Sequence, residues 1–303
     1  METQAGFTIN AKENFYFTIK VIVSIIIYGL LLSLIFNAFS IENPFIFKMI
    51  SMIVIYISTL IFFVLFQLGL LIGYLEGNAI KVSKNQFSDI FQIVEKQSTI
   101  LELKKVPTVY IVQSGGLLNA FATRFLGRNY IVLYSEIVEA AYEQDKAIIE
   151  FVIGHELGHI KRNHMVKHLL LLPSIVIPFL GSAYSRACEY TCDAIGYCVA
   201  PKGLQGGLLL LASGRSIYKK VTVSEFLLQA QAGGFWKWFA EKVASHPNLS
   251  KRLVVFESKL ILTQLVRKPI VTHVDSSIET QPMHSEDVPS EEKSDDHTKY
   301  MPR

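Results

Sequence analysis

The chain has 303 residues, half of them hydrophobic, and a mean hydropathy of +0.34, which is high for a soluble domain of this length. The formal net charge is only +3, so the composition gives no reason to expect a nucleic-acid partner. The three cysteines lie close together and are odd in number. That count does not fit a secreted disulfide framework and favours a reducing compartment.

Two long uncharged runs near the N-terminus predict a transmembrane helical hairpin. Residues 21–39 and 49–74 are each long enough to cross a bilayer as a helix, and Asn43-Pro44 marks the turn between them. More lysines flank the outer ends of the hairpin than lie in the turn, which favours an arrangement with both ends inside. We therefore predict an integral protein of the bacterial inner or cell membrane. Residues 1–80 form the anchor, and the remaining domain is cytoplasmic.

Residues 81–267 have the pattern of a mainly helical α+β domain. Two segments alternate like strands, residues 108–112 and 130–134, and a glycine-hinged segment between them, residues 114–121, predicts an irregular edge strand. Helical periodicity predicts helices elsewhere. The predicted helices cover residues 81–102, 136–142, 208–211 and 225–243, a helix that begins after Asp145, and a closing helix that reaches about residue 265.

The sequence His155-Glu156-Leu-Gly-His159 carries the strongest chemical signal in the chain. Residues four apart on a helix return to the same face, so His155 and His159 can present their imidazole nitrogens to one metal ion. Glu156 projects beside them, where its carboxylate can take a proton from a water molecule at the metal.

A zinc hydrolase needs a third protein ligand and leaves one position for water. The best candidate is Glu189, because Asp193 follows it by one helical turn, and one carboxylate can bind metal while the other orients an imidazole. Cys188 and Cys192 are rivals that would complete a closed structural site. They lie about 100° around the helix from the carboxylates and would leave Glu156 without a role. We therefore predict that both are small buried residues.

An apolar stretch, residues 169–183, separates the two motifs. If His159 and Glu189 bind the same ion, this stretch cannot cross the bilayer once, because the two ligands would then lie on opposite sides. Its two prolines disfavour a straight helix. We predict a kinked helix or helical pair on the membrane-facing side of the domain, against the glycine-rich end of the second apolar run.

Four motifs, in order, resemble those of the membrane-associated gluzincin peptidases, the family of the HtpX proteases and the CAAX prenyl endopeptidases. They are Asn119-Ala120-Phe121, the HELGH sequence, a Ser-Arg-x-x-Glu-Tyr-x-x-Asp sequence that ends at Asp193, and a Ser-His-Pro-x-x-x-x-Arg sequence that ends at Arg252. The resemblance covers roughly residues 82–265, together with an N-terminal membrane hairpin.

The resemblance implies a zincin-like metalloprotease domain that binds one zinc ion per chain. By this similarity the zinc ligands are His155, His159 and Glu189, the catalytic base is Glu156, and Asp193 supports His155 from behind. Two features depart from the family pattern. Cys192 stands where a small residue is usual, and the segment between the motifs is too short for two further membrane spans.

The resemblance also implies where a substrate binds. Asn119-Ala120-Phe121 matches the edge strand on which a substrate peptide is laid, and His246 and Arg252 match positions near the cleft. In the mechanism that the resemblance implies, His246 hydrogen-bonds the oxyanion or the substrate carbonyl. The alternative is a helix-capping or buried structural histidine before Pro247.

The resulting hypothesis is a membrane-anchored zinc endopeptidase that acts on protein or peptide substrates at the bilayer, in quality control of membrane or unfolded proteins. Two alternatives stay open, a non-catalytic zinc-binding membrane adaptor and a CAAX-type processing peptidase. Residues 268–303 are rich in Ser, Glu, Asp and Pro, which predicts a disordered polar tail.

Overall fold

The computed structural model describes residues 6–40, 44–113 and 115–257. The predicted tail, residues 268–303, and the end of the predicted closing helix lie outside these ranges.

The two helices predicted from the apolar runs are present and longer than the runs themselves. They are α1, Ala11–Ser40, and α2, Pro44–Asn78, and both are long and apolar enough to cross a membrane. Large apolar side chains such as Leu32, Phe36 and Phe62 are exposed along them. A surface of this kind is stable in lipid and would aggregate in water.

The first turns of α1 differ from the rest of that helix, because they are packed into the protein. Glu13, Lys20 and Ser24 are at most 4% exposed and follow one another along a single helical face. The Tyr184 ring, in a later helix, lies under the Lys20 ammonium at 5.7 Å from its centroid. The anchor therefore begins inside the folded domain rather than at its edge.

Four strands form one small mixed sheet. In chain order they are β1, Ile80–Lys81, β2, Thr108–Val112, β3, Ala120–Phe125, and β4, Arg128–Tyr134. The spatial order is β1-β2-β4-β3, with β2 and β4 parallel and both outer pairs antiparallel, so β3 is an edge strand.

The two faces of the sheet bury alternate residues of its strands, as strand geometry requires. On one face Tyr110 and Tyr130 pack with Ile72 and Leu75 near the end of α2. On the other face Ile111, Ile131 and Leu133 join the main hydrophobic core.

The helices make up the larger part of the domain. They are α3, Ser88–Ile100, α4, Ser135–Glu143, α5, Ala147–Lys161, α6, His164–Leu170, α7, Leu180–Val199, α8, Gly203–Ser213, α9, Val223–Leu228, α10, Phe235–Val243, and α11, residues 249–257, with 3-10 turns at Leu172–Val176 and Tyr218–Lys220. Helix α5, which carries the HELGH sequence, lies at the centre against the sheet, α7 and α8. The predicted fold class, a mainly helical α+β domain with a small sheet after two apolar helices, is confirmed.

Small residues bring α5 and α7 close together. A Cβ atom added at Gly158 would lie 3.2 Å from the Cα atom of Cys192, and one added at Gly154 would lie 3.1 Å from the Cα atom of Gly196. Distances this short leave no room for a side chain at either position. This close packing allows residues of the two helices to meet at one point.

One predicted helix is divided in the structure, and one predicted break is present. The single helix predicted for residues 225–243 is divided into α9 and α10, because Gly233-Gly234 intervenes and Gly234 has a φ of 124°. Residues 169–183 form the end of α6, a 3-10 turn and the start of α7, which is the predicted broken helical form.

The neighbour predicted for this broken segment was wrong. The Tyr28 hydroxyl of α1 donates a hydrogen bond to the carbonyl oxygen of Leu170 at 2.9 Å, so the segment packs against α1. The glycine-rich end of α2 lies elsewhere, since Gly69 faces the ring of Phe125 in β3.

Candidate metal centre

The three residues predicted as zinc ligands converge. The Nε2 atom of His155 lies 3.4 Å from Glu189 Oε2, and the Nε2 atom of His159 lies 3.3 Å from Glu189 Oε1. Tetrahedral zinc with ligand bonds of about 2.0–2.1 Å separates its ligand atoms by about 3.3–3.4 Å. Two imidazoles and a carboxylate at this spacing fit a zinc ion, and all three ligand atoms lie within 4.8 Å of one another.

An acid and an arginine stand behind His155. Its Nδ1 atom lies 3.0 Å from Asp193 Oδ1. Arg252 donates two hydrogen bonds to the same carboxylate, from Nε to Oδ2 at 2.8 Å and from Nη2 to Oδ1 at 2.6 Å, and its Nη1 lies 3.3 Å from Glu189 Oε2. The structure therefore places Asp193 where the resemblance implies that it supports His155.

The position of Arg252 differs from the predicted one. The sequence placed it among the substrate-binding residues, but its side chain is 5% exposed and its hydrogen bonds go to Asp193. A buried guanidinium between two carboxylates neutralises part of their charge. Its geometry favours support of the metal ligands over contact with a substrate.

Both buried carboxyl groups are held in the anionic form. Burial alone would raise the pKa of Glu189, but contacts with His155 and His159 and the positive charge of Arg252 outweigh it and hold that pKa well below its usual value. Burial would likewise raise the pKa of Asp193, which the charge of Arg252 and the bond from His155 instead lower. A carboxylate that binds metal, or that orients an imidazole ligand, has to be ionised.

His159 is supported by a chain of residues that the sequence did not reveal. Its Nδ1 atom lies 3.1 Å from His164 Nδ1, and the Nε2 atom of His164 lies 3.2 Å from Glu13 Oε1. Arg162 donates to the same Glu13 oxygen from Nε at 3.0 Å and from Nη2 at 2.8 Å. Burial lowers the pKa of His164 to about 4, so this ring is neutral at physiological pH.

The buried cysteines lie close to these groups but are poor ligands. Cys192 Sγ is 3.7 Å from His164 Nδ1, and Cys188 also lies within ion-binding distance of His164 and Glu13. Burial raises the pKa of both thiols, so they stay protonated. Because zinc binds the thiolate form, the two sulfur-containing clusters are weaker donor sets than the two histidines and Glu189.

The edge strand runs beside the metal centre, because β3 packs along α5. The carbonyl oxygen of Asn119 accepts the N–H of Tyr134 at 3.1 Å, and the side chain of Asn119 accepts the N–H of Ala120 at 3.0 Å. In an antiparallel pair the bonding direction alternates, so the backbone groups of Ala120 and Ala122 point to the open edge. Phe121 lies between them and packs towards α2.

Two further predicted residues lie at the metal centre. Glu156 follows His155 on α5 and is 6% exposed. The Nε2 atom of His246 is 3.5 Å from Glu189 Oε1, although the ring is largely exposed. The Ser245 hydroxyl lies 2.9 Å from His246 Nδ1. When that hydroxyl donates to Nδ1, the ring keeps its proton on Nε2, which faces the metal ligands.

Comparisons with known proteins show similarity to peptidases. Residues 84–177, which include the HELGH sequence, match the model of peptidase family M48. The chain is 31% identical over 175 residues to the plastoglobule-localized metallopeptidase 48 of Arabidopsis thaliana, covering 52% of this chain and 49% of the relative. It is 34% identical over 76 residues to the CAAX prenyl protease 1 homolog of Dictyostelium discoideum, covering 24% of this chain and 17% of the relative.

Among solved structures, Ste24p of S. mikatae aligns with a TM-score of 0.42 and 16% sequence identity, over 80% of this chain and 66% of that one. The chain spans about half the length of the Arabidopsis relative and a smaller share of the Dictyostelium one. Residues 84–177 are thus similar to the M48 peptidases, in agreement with the family resemblance predicted from the motifs.

Proposed function

We propose that this chain is a membrane-anchored zinc endopeptidase that cleaves extended segments of protein substrates. The observation that carries the proposal is the convergence of His155, His159 and Glu189 at the spacing of tetrahedral zinc ligands, with Glu156 next in the helix to one of them. The match of residues 84–177 to the M48 peptidases supports it.

The proposed reaction is hydrolysis of a peptide bond. Bound zinc supplies Lewis acidity, which polarises the substrate carbonyl and acidifies water. Glu156 takes the proton of the attacking water and later gives it to the leaving amine, so that one carboxylate serves as base and then as acid. His246, whose Nε2 atom lies 3.5 Å from Glu189 Oε1, would donate a hydrogen bond from Nε2 to the oxygen on which negative charge develops.

The substrate would bind as an added strand at the open edge of β3. The N–H and C=O groups of Ala120 and Ala122 offer backbone hydrogen bonds at that edge. The Asn119 side chain, which holds the Ala120 N–H, would give way to a substrate carbonyl. Binding of this kind depends on the substrate backbone more than on its side chains, which suits a protease that acts on many unfolded sequences.

A second, aromatic surface supports the proposal that the domain lies against the bilayer. Helix α10 exposes Phe235, Trp236 and Trp238, and its Phe239 ring packs edge-on against Phe179 at 6.3 Å. That contact makes the aromatic surface continuous with the exposed apolar side chains of the segment that precedes α7, including Ile175. Tryptophan and other aromatic side chains favour the membrane interface. Since His246 follows α10, we propose that the cleft faces chains lying on or leaving the cytoplasmic side of a bacterial membrane, as quality control requires.

The central test is the substitution Glu156→Gln in the purified full-length protein. Gln keeps the size of the side chain but cannot accept the proton, so we expect one zinc per chain to remain and cleavage to fall by at least about a hundredfold. Zinc content by metal analysis and cleavage of a fluorescent casein give the two measurements. Unchanged cleavage in this variant would refute the role of Glu156. A wild-type protein that binds zinc but cleaves nothing would instead favour a non-catalytic adaptor.

The substrate class needs a separate assay. We expect the detergent-solubilised protein to cleave casein, because the open edge of β3 selects for extended backbone. A farnesylated peptide and its unprenylated counterpart serve as matched comparisons. Cleavage of the farnesylated peptide alone would overturn the assignment to unfolded and membrane-protein substrates in favour of CAAX-type processing.

A further inference from the structure

We infer that Glu13, at the start of the first membrane helix, is a positioning residue for the candidate metal ligand His159 and acts through His164. This inference rests on the proposed zinc site. It assigns a role in that site to the membrane anchor, which otherwise would serve only to hold the domain at the bilayer.

The proton positions along this chain of contacts follow from the ligand role of His159. Its Nε2 atom faces Glu189, so a ligand role leaves the proton on Nδ1. That N–H has His164 Nδ1 as an acceptor at 3.1 Å. His164 must then carry its own proton on Nε2, which lies 3.2 Å from the carboxylate oxygen of Glu13. One set of tautomers therefore satisfies every contact.

Glu13 is itself held firmly in place. Its side chain is 1% exposed, and two N–H groups of Arg162 donate to the oxygen that accepts from His164. A carboxylate this deeply buried is costly unless it is paired and hydrogen-bonded. The contact with Arg162 meets that requirement at Oε1 and fixes the direction of this acceptor towards His164.

The same side chains do not form a convincing second metal site. Glu13, His164 and Cys188 come close enough to surround an ion. However, Glu13 is already bound to the Arg162 guanidinium, and the Cys188 thiol is neutral because burial raises its pKa. A divalent cation there would face an arginine and lack an anionic sulfur ligand.

The contacts from His159 through His164 to Glu13 affect metal binding in two ways. They orient the His159 imidazole, and they strengthen it as a metal ligand. A hydrogen bond to the far nitrogen of a metal-ligating imidazole fixes the tautomer and ring angle and makes the ligand more basic. Loss of such a partner lowers metal affinity by about 10- to 100-fold. Docking of α1 on the domain and binding of zinc are therefore linked through Glu13.

Zinc affinity of the full-length protein in detergent, measured by competition with a chromogenic chelator, tests the inference. We expect Glu13→Ala to weaken zinc binding by about 10-fold, the lower end of the range for a direct partner of a ligand, because His164 remains beside His159. Glu13→Gln should weaken it less, because an amide oxygen still accepts from His164. The matched control is Lys20→Met, which alters the same buried face of α1 but lies outside the chain of contacts. This variant should bind zinc as the wild type does.

A double substitution separates positioning from packing. His164→Asn can keep an acceptor near His159 but is too short to reach Glu13. In that background Glu13→Gln should have no further effect on zinc affinity, because the link is already cut. The absorption bands of the cobalt-substituted protein should change in Glu13→Ala and not in Lys20→Met.

The possible failures are distinguishable. Wild-type affinity in Glu13→Ala, or equal losses in Glu13→Ala and Lys20→Met, would overturn the inference while leaving the zinc site intact. Failure of the wild-type protein to bind zinc, or full affinity in His159→Ala, would instead overturn the proposed function. If Glu13→Ala does not fold, the inference is tested by the effect of Glu13→Gln on zinc affinity in the His164→Asn background.

Discussion

The two histidines of the candidate metal centre are supported in different ways. His155 contacts a carboxylate directly, and that acid, Asp193, lies 38 residues away in the same domain. His159 reaches a carboxylate only through a second imidazole, and His164 and Glu13 are separated by 151 residues. Each chain of contacts ends at an arginine, Arg252 for the first and Arg162 for the second.

This difference shows that one metal centre can depend on two levels of structure. The support of His155 forms as soon as α5, α7 and α11 pack together, because all its members belong to those helices. The support of His159 also requires α1 to dock on α7. On the inference drawn for Glu13, the domain fold alone supports one candidate ligand, and helix α1 completes the support of the other.

The largest effect is expected on the His155 side, where Arg252→Ala should lower the free energy of unfolding. The substitution leaves the carboxylates of Asp193 and Glu189 buried without their cation, which costs about 3–5 kcal/mol of folding free energy. Denaturant unfolding measures the loss. Arg124→Ala, at an exposed arginine, should change stability by less than about 1 kcal/mol. Equal midpoints for the two variants would show that Arg252 does not stabilise the pair.

A smaller effect is expected for zinc affinity in Asp193→Asn. The amide can still accept the His155 N–H but loses the charge that strengthens the ligand, so affinity should fall by about 10- to 100-fold. The loss should be at least as large as that of Glu13→Gln, because Asp193 acts directly. Chelator competition supplies the measurement, with Asp89→Asn as a control far from the metal centre. A greater loss of zinc affinity in Glu13→Gln than in Asp193→Asn would contradict this expectation.

The smallest effect is expected for Cys192→Ala on the His159 side. The thiol is neutral and 3.7 Å from His164, so its removal should change zinc affinity by less than about threefold. A tenfold or greater loss would mean that sulfur binds the metal, and the site would then resemble a closed structural one. Ser24→Ala, at another buried position without a metal role, gives the baseline.

Much of the site could be predicted because its residues form pairs that lie one helical turn apart in the sequence. His155 and His159 share a face of one helix, as Glu189 and Asp193 do, and the helical period alone relates each pair. Strand alternation predicted β2 and β4 in the same way. The close approach of α5 and α7 then brings the two pairs together.

The parts that could not be predicted depend on contacts between distant segments. Nothing in the sequence relates Glu13 to His164, although an isolated acid seven residues before Lys20, at the start of an apolar helix, was a signal that the helix has a buried polar face. The role of Arg252 depends on how α11 packs on α7. The break between α9 and α10 could have been predicted from Gly233-Gly234, since two adjacent glycines interrupt helices.

The order of Glu13, the two apolar helices and Glu189 along the sequence has a consequence for biosynthesis. The ribosome makes Glu13 before most of α1 and α2, and Glu189 only after both helices. A nascent chain whose first helix is in the bilayer must therefore draw α5 and α7 back to that helix before its metal centre is complete. On the inference drawn for Glu13, tight zinc binding would then follow docking of α1, so a chain whose first helix has not yet docked would bind zinc more weakly.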